Sequence, residues 1–117
     1  MKRIFEFIFI TALLSLLLVS CSSKKVQTIE ITAQGYSPSS LVVHKGDEVT
    51  WINKDNKPHT VSSGTSELWQ FDSGEIKPGE EFKLEFTEPT VGSYRYYSKI
   101  QGDDMEGTIV VKPEASP

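Results

Sequence analysis

The sequence is short of cysteine. It has one in 117 residues, Cys21, so no disulfide forms within the chain. Histidine is nearly as scarce, with only His44 and His59. Basic residues are outnumbered, 12 Lys and Arg against 16 Asp and Glu, for a formal charge of −4. That balance argues against nucleic-acid binding, which needs a basic face. It is compatible with a basic protein partner. No phosphate-binding loop, dinucleotide fingerprint, paired-acid motif or Ser–His–Asp frame is present. From residue 21 onward no stretch has a helical period, and there is no internal repeat. The length suits one domain.

The one long apolar run lies at the start. Lys2 and Arg3 precede an apolar stretch, Ile8 to Val19, broken only by Thr11 and Ser15, and Leu18-Val19-Ser20-Cys21 follows. The charge layout and length are those of a secretion signal. The run is shorter than the roughly 20 apolar residues that span a bilayer. The closing tetrapeptide resembles a bacterial lipobox, which makes residues 1–20 a lipoprotein signal peptide. Cys21 then becomes the lipidated first residue of the mature chain. Residues 21–25 form a short polar tether. The membrane, reached through lipid on Cys21, is one expected partner. The expected location is the cell envelope, facing the periplasm or the exterior.

The rest of the chain alternates. Val26–Thr32 places Ile29 and Ile31 on one face, and Leu41–His44, Val49–Asn53 and His59–Ser62 are further strands. In Glu81–Thr87, Phe82, Leu84 and Phe86 share a face; Tyr94–Tyr97 and Thr108–Val111 complete the set. Gly35–Ser40, Lys45-Gly46-Asp47 and Lys77-Pro78-Gly79 carry turn chemistry. Seven to eight short strands with Gly and Pro turns predict an all-β, two-sheet sandwich over residues 26–112, with a loose tail at 113–117. The expected core is Ile29, Ile31, Leu41, Val43, Val49, Trp51, Val61, Phe71, Ile76, Phe82, Leu84, Phe86, Tyr94, Tyr96, Ile109 and Val111.

Two segments give this frame a family resemblance. One is Val49-Thr-Trp-Ile-Asn53 running on to Pro58-His59-Thr-Val61. The other is Gly92-Ser-Tyr-Arg-Tyr-Tyr-Ser98-Lys-Ile-Gln101-Gly-Asp-Asp-Met105-Glu-Gly-Thr-Ile-Val-Val111. Together they resemble the cupredoxins, the plastocyanin- and amicyanin-like blue-copper proteins. The resemblance implies a Greek-key β-sandwich, copper as cofactor and electron transfer as function. It places His59 and Met105 at ligand positions and Asn53 as a residue that braces the 98–105 loop. It also places Ser98 where the family has its thiolate and Gln101 where it has its second imidazole.

Those two departures decide the expected chemistry. A type 1 copper site depends on a thiolate, and a serine hydroxyl does not replace it. Gln101 offers only an amide oxygen at neutral pH. One reading is therefore an accessory or partner-binding domain of the envelope that binds metal weakly or not at all and is not an enzyme. A second is copper handling at a non-blue site of His59 and Met105, with Gln101 or a carboxylate of Asp103, Asp104 or Glu106. A third is family-typical electron transfer. His44 shares a face with Val42 and is expected to face solvent. Tyr94 and Tyr96 share a face opposite Tyr97, and packing is their expected role. The intact frame predicts that Ser98→Cys with Gln101→His rebuilds a blue centre.

Overall fold

The structure, a computed structural model, describes residues 24–65 and 68–115. Residues 1–20, where a signal segment is expected, and Cys21 lie outside them. Eight strands follow in order: β1 (Val26–Thr32), β2 (Gly35–Ser37), β3 (Ser40–His44), β4 (Glu48–Asn53), β5 (Ser62–Ser63), β6 (Glu81–Glu85), β7 (Gly92–Tyr97) and β8 (Glu106–Lys112). They form two four-stranded sheets, ordered β2-β1-β4-β6 and β3-β8-β7-β5. The fold is the all-β Greek-key sandwich expected.

Alternation sets the packing. In β1, Ile29 and Ile31 point inward and are fully buried. β4 runs parallel to β1, with Val26 opposite Glu48 and Ile31 opposite Asn53. β7 and β8 pair antiparallel, from Gly92–Val111 at one end to Tyr97–Glu106 at the other. The registers put the end of β4, the end of β7 and the start of β8 at one pole of the sandwich. The chain enters β1 at the opposite pole. Loops 54–61 and 98–105 both hang from the first of these ends.

The core holds Ile29, Ile31, Val43, Val49, Trp51, Val61, Ile76, Phe86, Tyr94, Tyr96, Ile109 and Val111 as expected, with Leu41, Phe71, Phe82 and Leu84 partly buried against it. Tyr36 is an addition. Gly35–Ser37 was expected as turn, but it pairs with β1 across a two-residue connection, and this registers Tyr36 opposite Ile31. Thr32 Oγ1 donates to the carbonyl of Gly35 and accepts from the Gln34 N–H, which closes that turn. Tyr36 then packs edge-on against Tyr96, ring centroids 4.6 Å apart.

The expected strand at His59–Ser62 is mostly absent. It survives as single bridges, His59 to Ile76 and Ser62 to Asp72, and as the two-residue β5. Side-chain hydroxyls have replaced the missing ladder bonds. The Val61 N–H donates to Ser73 Oγ at 2.8 Å and the Thr60 N–H to Ser98 Oγ at 3.2 Å. Local hydroxyls compete with strand pairing in this way.

Candidate functional site

Asn53 ends β4 and is 1% exposed. Its side-chain amide donates to the carbonyls of Lys57 (2.7 Å) and Ile76 (2.8 Å), and its carbonyl oxygen accepts from the Asp55 N–H (2.9 Å). Asn53 therefore braces a loop, but it is the 54–58 loop rather than 98–105. Folding the chain back at Asn53 turns Asp55 toward His59. The His59 backbone is pinned by two bonds to Ile76, which hold the imidazole inward, 1% exposed.

Both nitrogens of that ring meet carboxylates. Nε2 lies 2.7 Å from Asp55 Oδ2, and Nδ1 lies 2.7 Å from Asp103 Oδ2. The same Asp103 oxygen accepts from Ser98 Oγ–H at 2.5 Å. An ionised carboxylate only accepts, so a ring nitrogen bonds to it through an N–H, and the tautomer sets which nitrogen carries it. The result is a linear array: Asp55, His59, Asp103, Ser98. Further bonds join the loops behind it. The Lys99 N–H donates to Thr60 Oγ1, and Tyr36 O–H donates to the Thr60 carbonyl.

The electrostatics follow from these contacts. The bond from His59 holds the Asp55 carboxyl below its ordinary value, helped by the Asn56 N–H. Burial pushes Asp103 upward, but the bonds from Ser98 and His59 outweigh it and leave Asp103 lowered. Burial pushes the Tyr96 hydroxyl up to about 12. Tyr36 rises as well, first through burial and then through the nearby Tyr96 and Asp103 charges. Two phenols that hold their protons so firmly are packing residues at neutral pH.

The residues singled out by sequence come together only in part. His59 and Ser98 meet through Asp103. Met105 is half-buried just before β8, packed on the core edge beside Gly35, where an added Cβ would lie 3.7 Å from the Met105 Cβ. Gln101 is exposed at the tip of the loop, lining a shallow depression of about 190 Å³ with Lys57, Pro58, Ile100, Gly102 and Asp103. Of the acidic residues around Met105, Asp103 is the one that reaches His59; Asp104 and Glu106 are exposed. His44 is half-buried rather than solvent-facing, at a turn where its N–H donates to Asp47 Oδ2. Sequence reasoning did not single out Asp55. Its signal was the Asn53-x-Asp55 turn four residues before His59.

Copper does not fit this donor set as it stands. The two carboxylates bind opposite sides of one ring, so they do not converge with it on a common point. Among the described residues no three His, Cys, Asp or Glu side chains are placed to hold one ion. Ser98 supplies a hydroxyl where a blue site needs a thiolate. Ser98 is not a nucleophile activated by His59 either, since its proton goes to Asp103.

Comparison with known proteins agrees with the fold. A family model described as "Cupredoxin-like domain" matches residues 6–111. Plastocyanin from Scenedesmus fuscus is 31% identical over 86 residues, which cover 66% of this chain and 86% of that protein. A purple cupredoxin from Nitrosopumilus maritimus superposes with a TM-score of 0.62 at 28% identity, covering 74% of this chain and 99% of that one. An amicyanin variant in its Cu(I) form gives 0.64 at 28%, covering 80% and 88%. The chain belongs to the cupredoxin family.

Proposed function

We propose that this protein is a cupredoxin-fold accessory domain of the cell envelope, held at a membrane by lipid on Cys21, that works through its surface and not through a type 1 copper centre. The observation that carries the reading is the engagement of His59. Both of its nitrogens bond to carboxylates, and position 98 offers oxygen instead of sulfur. The imidazole that the fold presents at this pole is occupied by the protein itself. Because β1 begins at the opposite pole, an anchor at Cys21 leaves the His59 end pointing away from the lipid, toward a protein partner in the envelope.

The test is a copper titration of the full-length protein in detergent, followed by calorimetry and visible absorption. The expected result is no intense visible charge-transfer band and no tight one-to-one binding. Tight binding that disappears in His59→Ala would replace this reading with copper handling at a non-blue site. An intense visible band would overturn it in favour of electron transfer.

A further inference from the structure

The position of one oxygen atom carries a further step, which rests on the metal-free reading above. Asp103 Oδ2 lies 2.7 Å from His59 Nδ1 and 2.5 Å from Ser98 Oγ. It sits between the imidazole and the residue at the thiolate position, where an ion held by both would sit. Metal–imidazole and metal–thiolate bonds run about 2.0–2.3 Å, so an ion and this oxygen cannot share the space. We propose that Asp103 is the residue that closes this pole to metal: its carboxylate is a built-in occupant of the position between His59 and residue 98.

The closure has a physical basis beyond sterics. To reach Nδ1 an ion must expel the hydrogen that bonds Asp103 and move the carboxylate aside. Asp103 then loses two short, charge-assisted bonds, among the stronger kinds in a protein. Its backbone resists the move, because the Asp103 N–H bonds to the Ile100 carbonyl and fixes the turn that carries the side chain. On the far side Asp55 holds the ring by Nε2, so the imidazole cannot swing away to offer Nδ1 elsewhere. Restoring sulfur at position 98 and imidazole at 101 therefore leaves the occupant in place. On this proposal those two changes do not suffice. A third, at Asp103, is required.

The opposite possibility is that Asp103 rotates and becomes a ligand, as carboxylates do for harder ions. The two ideas predict opposite signs, and one series separates them. Full-length Ser98→Cys/Gln101→His is compared with the same protein carrying Asp103→Ala, each titrated with Cu(II) and followed by visible absorption, calorimetry and thermal unfolding. The expected result is a colourless or weakly coloured double variant. The triple variant is expected to bind copper at least about tenfold more tightly, a 1.4 kcal/mol difference, with an intense visible band. Asp103→Asn, whose amide oxygen still accepts from Nδ1–H, should recover less of the effect. Where Asp103→Ala does not fold, Asp103→Ser replaces it. The proposal is overturned by a double variant already fully blue at one copper per chain, by a folded triple variant that stays colourless, or by one that loses copper the double variant binds. None of these results touches the metal-free reading, which fails only if the native protein itself becomes blue or binds copper tightly.

Discussion

Gly107 stands opposite Tyr96 in the β7–β8 ladder, and its lack of a side chain is a packing requirement. Its φ is not positive, so an alanine meets no backbone strain there. By propensity alone Gly107→Ala should stabilise the strand by roughly 0.5–1 kcal/mol. Packing reverses the sign. A Cβ at 107 would lie 2.3 Å from both Cζ and the hydroxyl oxygen of Tyr96 and 2.8 Å from Cε1. Ordinary contact begins near 3.4 Å, so the ring must retreat by about 1 Å. It has nowhere to go, being fully buried, with Tyr36 at 4.6 Å on one side and Trp51 at 5.5 Å on another. Overpacking of this kind costs about 1–3 kcal/mol, and the blocked retreat places the cost at the upper end. For a domain of this size ~3 kcal/mol lowers Tm by roughly 12–24 °C. The assay is thermal unfolding by circular dichroism, with Gly107→Ala also made in a Tyr96→Leu background. There the penalty should largely vanish, because the two sites couple through one clash. A neutral or stabilising Gly107→Ala, or a penalty that persists without the Tyr96 ring, would refute the argument.

Two further outcomes follow from the site pole. Asn53→Ala leaves the Lys57 carbonyl without its donor, strips the Ile76 carbonyl of one of its two (the His59 N–H remains), and frees Asp55 from its turn; at about 1–3 kcal/mol for an unsatisfied group, a loss of that size is expected in urea unfolding. Asp55 and Asp103 both have folded carboxyl values below their ordinary one. Their stabilisation is therefore fully present above about pH 4 and is lost as pH falls through the lowered values. Urea midpoints followed by tryptophan fluorescence should drop steeply in that acid range for the native protein and less steeply for Asp103→Asn. Equal slopes in the two would show that the carboxylate is not held as described.

The strands were legible because alternation survives without partners. Ile29 and Ile31, or Tyr94 and Tyr96, announce their faces locally, and twelve expected core residues are buried. Gly35–Ser37 was missed because its pairing is dictated by Tyr36 finding Tyr96 across the sandwich, a contact with no local trace. His59–Ser62 alternates without forming a full strand because the hydroxyls of Ser73 and Ser98 take the N–H groups that a strand would have used. At the site, the family resemblance marks Ser98 and Gln101 as departures from a thiolate and an imidazole. It does not show which group meets His59. Asp103 looked like one member of a solvated acidic loop, and nothing in Gly102-Asp103-Asp104 marks which carboxylate turns inward. That choice is made by the turn Ile100–Asp103 and by the ring waiting at His59.

The array also explains why the pole keeps its shape with a ligand set this incomplete. In a metal site the ion ties two loops that the sheets alone leave loose. Here the tie is made by shared hydrogens: Asp55 to His59 to Asp103 to Ser98, with Thr60 and Lys99 cross-bonded behind them. Such a tie behaves as a unit. Each charged member is compensated by its neighbour, and removing one strands the next in a partly dry environment, the costly situation for any paired buried charge. A single exchange of oxygen for sulfur at 98 is then a loss before it is a gain, since it weakens the bond to Asp103 without vacating the space between. The route to a metal centre at this pole passes through Asp103 before it passes through Ser98, because the loop is held by a contact that sulfur alone does not undo.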